Sequence, residues 1–377
     1  MKICYLANAS SIHTRRWVNY FARKGHEVHV ITLNPGEGYV EGVRLHPLTM
    51  PVSGSWMGAA LYKALTWIIQ TRGLIRRIKP DIIDAHFITT YGYLAIASGF
   101  HPVVLTAWGS DIYLDPKESR LFRLLTKYVL RKAEITICDS ESLKKELLQL
   151  GTDPAKIRLS YSGVDTQKFR PQPKNQLREK LGLKGEPVII STRNFKWVYN
   201  IDMLIKAIPL ILECVPQAKF IIAGEGDQRE HLQNLAASLG VSGSVIFTGW
   251  IPHDELPGYL ALSDVYISTS VSDSIQVSMQ EAMACEVAPV VTDLPALRET
   301  IIDGENGFLV PVNDIQALAD RVVYLLQNEE VRKRFGKLGR KLIQGTVEYR
   351  KEMDKLEKIY QEQVEKVKVR RKSKENM

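Results

Sequence analysis

Residues 265–292 read VYISTSVSDSIQVSMQEAMACEVAPVVT and carry the clearest fold signal in the chain. Two short apolar runs, 265–268 and 288–292, predict buried strands. Between them lie a polar loop and a run of good helix formers, which predicts a helix that begins near Ile275. A strand, a helix and a second strand in this order form the βαβ unit of parallel sheets. The stretch therefore predicts an α/β protein.

The same alternation of strand and helix signals runs through both halves of the chain. Further strands are predicted at 2–7, 28–32, 81–85, 103–106 and 134–138, and then at 188–191, 219–223 and 245–247. A bridge rich in proline and charge, 168–184, separates the two series. We expect two Rossmann-like domains, 1–167 and 168–345, with parallel sheets that face an interdomain cleft. Residues 346–377 predict a charged amphipathic helix that could return to the N-terminal domain.

The composition is that of an ordinary globular protein. Of the 377 residues, 45% are hydrophobic and 24% are charged, which excludes a disordered or fibrous chain. The four cysteines lie far apart, so we expect neither a disulfide framework nor a zinc site. The N-terminus has no secretory signal pattern, and the uncharged stretch 87–108 is interrupted by Gly92, Gly99 and Pro102. We therefore predict a buried helix, a turn and a strand there, rather than a membrane span, in a cytoplasmic protein.

The formal net charge of +8 favours an anionic partner. Nucleic acid, acidic lipid and a phosphorylated small molecule all meet that description, and charge alone does not choose among them. Support for nucleic acid comes from the charge alone, because the basic residues are spread over helix faces without an aromatic binding platform.

Residues 56–79 bear on the choice of partner because they mix apolar and basic side chains. The apolar residues are Trp56, Met57, Leu61, Leu65, Trp67, Ile68, Ile69, Leu74 and Ile75, and the basic ones are Lys63, Arg72, Arg76, Arg77 and Lys79. Such a helix could lie on an anionic membrane, or it could pack into the core with a solvated basic side. The sequence leaves both interpretations open.

The loop and helix that follow 265–268 contain two carboxylates, Asp273 and Glu281. The start of a helix exposes unpaired backbone N–H groups and suits a phosphate. Each carboxylate could accept hydroxyl groups from a different part of a long ligand. The alternative is that Asp273 is an N-cap and Glu281 an ordinary helix residue. Nothing places the two on either side of one bond, so a glycosidase pair is disfavoured.

Several further fragments occur in a specific order and spacing. They are GHEV at 25–28, SGVD at 162–165, FRP at 169–171, AGEG at 223–226, FTGWIP at 247–252, EAMAC at 281–285, APVV at 288–291, RE at 298–299 and NGFLVP at 306–311. With these motifs, the chain resembles a GT-B glycosyltransferase of the large retaining family 4, the group 1 transferases. The resemblance runs from the first strand to about residue 345.

The sequence departs from the family pattern at several positions. Asp273 stands where the family has the first glutamate of its motif, and Tyr199-Asn200 stands where Lys-Gly is expected. Lys196 could supply the missing charge from a nearby turn. Trp108 replaces a frequent histidine, and Ser10-Ser11 replaces a glycine pair. These changes affect the expected acceptor side more than the expected donor side.

The resemblance implies roles for particular residues. The implied catalytic residues are Asp273 on the transferred sugar, Arg193 on the diphosphate, and His86 near the acceptor. The implied donor-binding residues are Glu281, on the ribose hydroxyls, with Ser274, Ile275, Gln276, Lys196, Gly224, Glu225, Trp250 and Ile251. The implied acceptor-side residues are Ser10, Ser11, His13, Trp108, Gly109 and Asp111. No metal ion or cofactor is implied.

The resemblance also implies an activity. It is the transfer of a hexose-type sugar, with retention of configuration, from a nucleoside diphosphate sugar to a glycan or lipid-linked acceptor of the cell envelope. UDP is the expected nucleotide and GDP the alternative, and the N-terminal domain would bind the acceptor. A GT-B epimerase or phosphorylase would bind a sugar nucleotide in a similar way and stays open. A dinucleotide dehydrogenase is disfavoured, because Arg229 stands at the third glycine position after Gly224 and Gly226.

Overall fold

The computed structural model of the chain describes residues 1–49, 59–173 and 175–375. They form two compact units: Met1–Ser162 together with the chain from Glu352 onward, and Gly163–Lys351. The units therefore divide after residue 162, whereas the sequence places the boundary after 167. The amide of Val164 donates to the carbonyl of Val347 (2.8 Å), and the amide of Tyr349 donates to that of Val164 (3.1 Å). These hydrogen bonds attach the segment after Ser162 to the second unit.

The first unit is built on a parallel sheet. Its strands in the described residues are β1 (Lys2–Leu6), β2 (Glu27–Thr32), β3 (Arg44–Pro47), β4 (Ile82–His86), β5 (Val103–Thr106), β6 (Ile135–Cys138) and β7 (Ile157–Leu159). Their spatial order is β3-β2-β1-β4-β5-β6-β7, and every neighbouring pair is parallel. Strands β4, β5 and β6 are buried along their whole length, as expected of a sheet with helices on both faces.

Helices cover this sheet. They are α1 (Ile12–Arg23), α2 (Ala59–Ile78), α3 (Tyr93–Ala97), α4 (Ser110–Tyr113), α5 (Asp115–Glu118), α6 (Arg120–Lys132) and α7 (Glu141–Gln149). Parallel crossovers are right-handed, and the connections from β3 to β4, β4 to β5 and β5 to β6 all run in one direction across the sheet. Helices α2, α3 and α6 therefore lie on the same face. The stretch 87–108 folds as predicted, with α3, a turn and β5.

The second unit repeats this plan with a smaller sheet. Its strands are β8 (Val188–Ser191), β9 (Lys219–Ala223), β10 (Val245–Gly249), β11 (Val265–Ser268), β12 (Ala288–Thr292) and β13 (Phe308–Val310), in the order β10-β9-β8-β11-β12-β13. All neighbouring pairs are again parallel. Its helices are α8 (Asn175–Lys180), α9 (Ile201–Cys214), α10 (Arg229–Ser238), α11 (Leu256–Leu262), α12 (Val277–Ala284), α13 (Ile315–Gln327) and α14 (Glu329–Thr346).

The last helix, α15 (Tyr349–Glu375), carries the chain back to the first unit. Its predicted apolar stripe is confirmed, because Met353, Leu356 and Tyr360 are fully buried. Its polar side also contacts the first unit: Lys24 forms ion pairs with Asp354 and with Glu357, the latter at 2.6 Å. The helix is thus held by both its apolar and its charged face.

Each sheet reverses its strand order at one place. In the first sheet β1 lies between β2 and β4, and in the second β8 lies between β9 and β11. Loops that follow adjacent strands at such a reversal diverge and leave a crevice at the carboxyl edge, where ligands of open α/β sheets bind. The loops after β1 and β4, and those after β8 and β11, are therefore the places where the two units could bind ligands.

The predicted strands are all present, and the sequence missed β3, β7 and β13. Each of these lies at the edge of its sheet and is only three or four residues long. Strand β3 has no fully buried residue, so it lacks the apolar run that marks a central strand. A short, half-exposed edge strand gives little sequence signal.

Helix α2, which covers most of residues 56–79, has one side packed into the core and another side exposed to solvent. Ile75 and Ile78 are buried in the core of the first unit, whereas Leu61, Leu65 and Ile69 are at least half exposed. Trp56 and Met57 lie outside the described residues. Within the described ranges, no helix combines the length and the apolarity needed to cross a bilayer.

Candidate active site

The reversal point of the second sheet brings two predicted residues together. Arg193 follows β8, and Asp273 follows the adjacent β11. Nη2 of Arg193 donates to Oδ2 of Asp273 at 2.5 Å, and the two side chains are only 11% and 18% exposed. Burial raises the pKa of the Asp273 carboxyl above its ordinary value, and the adjacent guanidinium opposes that rise. The pair places one positive and one negative group at the carboxyl edge of the sheet.

Other side chains fix the guanidinium in place. Nη1 of Arg193 donates to Oγ of Ser278, 3.2 Å away in the first turn of α12, and Ser278 also bonds the hydroxyl of Tyr266 at 2.8 Å. The guanidinium lies over the ring of Tyr199, 4.2 Å from its centroid, in a cation–π contact. Arg193 is therefore held beside the start of α12, where unpaired N–H groups also favour an anion.

The structure accounts for two of the departures from the family pattern. Tyr199, at the expected lysine position, stacks on Arg193 and does not add a second cation. Asn200, at the expected glycine position, has a φ of 47° and a ψ of 47°. Asparagine is one of the few other residues that adopt this left-handed conformation readily. Lys196 lies in the same loop with an exposed side chain.

The first glycine of AGEG, Gly224, packs against the backbone of the loop that carries Arg193. A Cβ on Gly224 would lie 2.5 Å from the carbonyl oxygen of Arg193, so only glycine allows this close approach. The neighbouring Glu225 forms an ion pair with Arg229. Near the end of β10, Trp250 is half exposed, whereas Ile251 is buried. Of these predicted donor-binding residues, Gly224 is thus in contact with the backbone of Arg193.

Helix α12 begins later than the sequence predicts. It starts at Val277, and Gln276 still has extended backbone, with a ψ of 107°. The reason is local: the amide of Ser274 donates to the side chain of Asp273 (3.1 Å) in a loop conformation. Ser274, Ile275 and Gln276 therefore precede the helix, and all three are buried. The prediction that the helix begins near Ile275 is wrong by two residues.

Glu281 lies further along α12, on the same face as Ser278, because the two are three residues apart. Its carboxylate is almost fully buried, and Oε1 is 3.2 Å from Nε2 of His253. The other ring nitrogen of His253 is 2.8 Å from Nζ of Lys168, which in turn pairs with Asp254 at 2.6 Å. The sequence did not predict His253, Lys168 or Ser278 as site residues, and it marked Tyr199 only as a departure from the family pattern. A histidine directly after the FTGWIP fragment was the available signal for one of them.

The corresponding edge of the first sheet has a different chemistry. His86, at the end of β4, is 3% exposed, and its ring lies among those of Trp17 (4.9 Å between centroids), Tyr5 (5.4 Å) and Trp108 (5.5 Å). Neither of its ring nitrogens has a hydrogen-bond partner in the described part of the chain. The nearest carboxylate oxygen, on Asp84, is 3.6 Å from Nε2, which is too long for a hydrogen bond.

Asp84 lies on β4, two residues before His86, and is fixed by hydrogen bonds. It accepts a hydrogen bond from Thr106 (2.8 Å) and another from Tyr360 of α15. The carboxylate is fully buried. The returning C-terminal helix therefore contributes a side chain to the carboxylate that lies two residues before His86 on β4.

The other predicted acceptor-side residues lie around the same edge. Ser10 and Ser11 lie in the loop after β1, and His13, in the first turn of α1, packs on Trp108 with 5.1 Å between ring centroids. Gly109 has a φ of 110°, which suits glycine, and begins the turn into α4. Asp111 is fully buried and accepts from the amides of Ile88 (2.8 Å) and Trp108 (3.0 Å). Burial raises its pKa to about 6.

No group of three or more His, Cys, Asp or Glu side chains in the described ranges is close enough to hold a metal ion. The positive charge at the second-unit site is supplied by Arg193.

Comparisons with known proteins identify the family of the chain. Residues 173–342 match the family model of glycosyl transferases group 1, and residues 2–140 match that of glycosyl transferase 4-like proteins. Together the two matches span most of both units. The chain is a GT-B glycosyltransferase of group 1.

Relatives of this group 1 glycosyltransferase include enzymes with different named substrates. It is 25% identical over 358 residues, or 90% of each chain, to the N-acetyl-alpha-D-glucosaminyl L-malate synthase of Bacillus anthracis. It is 33% identical over 187 residues to the GDP-mannose-dependent alpha-(1-6)-phosphatidylinositol monomannoside mannosyltransferase of Mycolicibacterium smegmatis. That match covers 47% of this chain and 49% of the mannosyltransferase, so it spans about half of that relative's length.

A solved structure shows the same fold. HepE of Anabaena, crystallised with UDP and glucose, has a TM-score of 0.81 and 18% identity, over 95% of this chain and 99% of its own. The predicted fold, a GT-B protein with two Rossmann-like domains and parallel sheets, is confirmed by this neighbour and by the two sheets described above.

Proposed function

We propose that the chain is a retaining glycosyltransferase that moves a hexose-type sugar from a nucleoside diphosphate sugar to a glycan or lipid-linked acceptor. UDP is the proposed nucleotide. The observation that carries the proposal is the convergence of Arg193, Asp273 and α12 at the reversal point of the second sheet. A cation and a helix start suit the diphosphate, and carboxylates suit the hydroxyls on either side of it.

The spacing along α12 matches the layout of a nucleoside diphosphate. Ser278, which bonds Arg193, and Glu281 lie on one helix face, about 4.5 Å apart along the axis at 1.5 Å per residue. In the proposed complex the diphosphate lies beside Arg193 and the start of α12, and the ribose hydroxyls bond the carboxylate of Glu281. The transferred sugar lies beside Asp273. Trp250, Ile251 and the loop at Gly224–Glu225 border the nucleoside, and Lys196 is close enough in sequence to add charge.

Arg193 and Asp273 pair with each other in the structure, so a donor must compete for both. A diphosphate brings two negative charges to the guanidinium, which has donors to spare beyond Nη2. Once the guanidinium turns to the phosphate, the carboxylate of Asp273 becomes available for a sugar hydroxyl. The ion pair therefore keeps both groups in place before the donor binds.

The proposed reaction breaks the bond between the anomeric carbon and the diphosphate oxygen, and forms a bond from the acceptor hydroxyl oxygen to the same face of that carbon. Negative charge builds on the departing diphosphate, where Arg193 stabilises it. The proton of the acceptor hydroxyl passes to the departing phosphate oxygen. The proposal includes no metal ion and no cofactor.

We assign the acceptor to the edge of the first unit that holds His86. Ser10, Ser11 and His13 supply polar groups there, and Trp108, Gly109 and Asp111 shape the adjoining loop. His86 is buried and packs against both indole rings, so it contacts an acceptor only if Trp108, the more exposed of the two indoles, moves aside.

A membrane is the proposed location of the acceptor, because two helices on one face of the first unit combine exposed apolar and basic residues. The exposed apolar side chains are Leu61, Tyr62, Leu65 and Ile69 on α2, and Leu121, Phe122, Leu124, Leu125 and Tyr128 on α6. Neither helix contains Asp or Glu, and together they carry nine Lys or Arg residues. That composition is typical of helices that lie on anionic lipid. The protein would then be peripheral on the cytoplasmic membrane.

The experiment that tests the function is a donor panel. The full chain is incubated with UDP-, GDP- and ADP-sugars, with and without a set of alkyl glycosides as acceptors, and products are followed by NMR. We expect one UDP-sugar to be consumed with release of UDP, and the new glycosidic bond to keep the donor's anomeric configuration. Use of a GDP-sugar instead would select the alternative nucleotide.

Two outcomes would contradict the proposal. Conversion of the donor sugar without any acceptor would indicate an epimerase, and consumption that depends on inorganic phosphate would indicate a phosphorylase. Glu281→Ala serves as the control variant, since transfer that survives it unchanged does not use the proposed donor site.

A further inference from the structure

A line of polar contacts leads from the segment before α8 to the carboxylate of Glu281. Oδ1 of Asp254 is 2.6 Å from Nζ of Lys168, Nζ is 2.8 Å from Nδ1 of His253, and Nε2 of His253 is 3.2 Å from Oε1 of Glu281. Lys168 belongs to the stretch between two fragments of the family pattern, SGVD and FRP.

The lysine determines which nitrogen of His253 carries the proton. An ammonium group has only donors, so Nδ1 of His253 must accept. A neutral imidazole that accepts at Nδ1 carries its hydrogen on Nε2, and this hydrogen points at Glu281. Lys168 thus makes His253 a donor toward the carboxylate. The exposed Asp254 bonds the same ammonium and keeps it in place.

Packing fixes the plane of the imidazole. The ring of Phe169 meets the ring of His253 edge to face, with 5.2 Å between centroids. Phe169 is fully buried, so it is a rigid support. A ring held on one side by Phe169 and at Nδ1 by Lys168 has little freedom to turn its Nε2–H away from Glu281.

Arg340 connects this support to the helix that carries Glu281. Its guanidinium donates to the carbonyl of Phe169 (3.1 Å), to that of Thr166 (3.4 Å), and to that of Ala284 at the end of α12. The segment 166–169 and the last turn of α12 therefore share one cation. Their separation, and with it the reach from Lys168 to Glu281, is fixed within the second unit.

We propose that His253 and Lys168 are positioning residues for the nucleoside end of the donor. They orient the Glu281 carboxylate toward the ribose hydroxyls, and neither one touches the bond that breaks. This inference rests on the proposed function, because it takes Glu281 to bind ribose. It predicts that the pair governs nucleotide affinity and leaves the rate of the bound complex nearly unchanged.

The test is a double-mutant cycle on the full chain, with UDP as the probe and calorimetry as the measurement. His253→Ala should weaken UDP binding about tenfold, since a hydrogen bond to a carboxylate is among the stronger ones. His253→Gln keeps an N–H donor and should stay within about threefold of the wild type. In the Glu281→Ala background, His253→Ala should have no further effect, because the group it orients is gone.

Lys168→Met frees Nδ1, so the ring can adopt either tautomer, and UDP binding should weaken about threefold. The matched control is Lys184→Met. Lys184 is exposed in the loop before β8, near the amino ends of the strands and away from the proposed donor site, so this variant should bind UDP like the wild type. Turnover at saturating donor should stay within about twofold of the wild type in His253→Ala and Lys168→Met. A purely structural role would lower the unfolding temperature and the turnover together.

The outcomes separate this inference from the function on which it rests. If Glu281→Ala does not weaken UDP binding, the donor site itself is wrong. If Glu281→Ala weakens UDP binding but His253→Ala does not, or if the two effects simply add, the positioning role is overturned. If His253→Ala does not fold, His253→Gln and Lys168→Met still test the proposal. Strong and equal losses of UDP affinity in these two variants would contradict the tautomer argument.

Discussion

The carboxyl edges of the two sheets occupy equivalent topological positions but hold different groups. In the second unit, the loops after β8 and β11 set a guanidinium against a carboxylate beside a helix start. In the first unit, the imidazole at the end of β4 packs among aromatic rings from β1, α1 and the loop after β5, and its nitrogens have no hydrogen-bond partner among the described residues. The same fold thus offers one charged and one largely aromatic crevice.

The difference shows that topology selects where a ligand binds and side chains select which ligand it is. A charged crevice complements a diphosphate, whose charge must be balanced when it leaves. An aromatic crevice complements the apolar faces and hydroxyls of a sugar or a lipid-linked glycan. Variants in one unit at a time should therefore affect only the chemistry assigned to that unit.

The largest effect is expected at the guanidinium. Arg193→Ala should lower kcat by roughly 10²–10³, because the departing diphosphate loses its main positive partner in the transition state. Arg193→Lys should recover part of the loss, since it restores the charge without the planar donor fork. Kinetics with the donor found by the panel provide the measurement. Arg334→Ala, which removes an exposed arginine from α14, is the control, and a loss of similar size there would refute the assignment.

An effect of about 2 kcal/mol between pH 4 and pH 7 is expected from the buried carboxyl of the first unit. The pKa of Asp111 is raised from 3.8 to about 6, so between these values the folded protein holds a proton that the unfolded chain has lost. Its contribution to the free energy of unfolding is therefore full below pH 4 and falls as the pH rises through 6.

Asp111→Asn removes this titration. The difference in free energy of unfolding, wild type minus variant, should decrease by about 2 kcal/mol between pH 4 and pH 7, as measured by denaturant unfolding. Asparagine also has one carbonyl oxygen for two backbone amides, which adds a constant penalty to the variant. A difference that does not change with pH would show that burial does not raise this pKa.

A smaller effect, about tenfold in membrane partitioning, is expected from the outer face of the first unit. Leu65→Glu with Ile69→Glu, or Leu121→Glu with Leu124→Glu, should reduce flotation with vesicles that contain anionic lipid. Trp67 is a poorer probe, because it packs against the core of the unit. The matched control is Leu338→Glu, an exposed leucine of the second unit. If the wild type does not float, or if the control loses as much, the membrane surface is wrong.

Much of this arrangement is predictable from the sequence, because apolar runs and turn residues specify central strands. Asp273 and Arg193 each follow such a strand, so their approach to a common edge could be expected from the order of elements alone. The edge strands β3, β7 and β13 were missed because they are short and partly exposed. The start of α12 was misplaced because the bond between Asp273 and Ser274 holds a loop that the composition does not reveal.

The supporting groups were less predictable, because their contacts join distant parts of the chain. Lys168 and His253 are 85 residues apart in sequence, and neither lies in a periodic pattern that would indicate the other. Trp17 is four residues after His13 on α1, so their common face could be predicted, but the packing of that face on His86 could not. Tyr199 was noticed as a missing charge, and only the structure shows that it stacks on Arg193.

A crystal structure of the full chain soaked with UDP would be the most direct check on the donor site. The diphosphate should contact Arg193 beside the first turn of α12, and both ribose hydroxyls should lie within about 3 Å of the Glu281 carboxylate. Two results would contradict the donor site. UDP could bind at another surface, or the Glu281 carboxylate could still face only His253 while the nucleotide lies elsewhere.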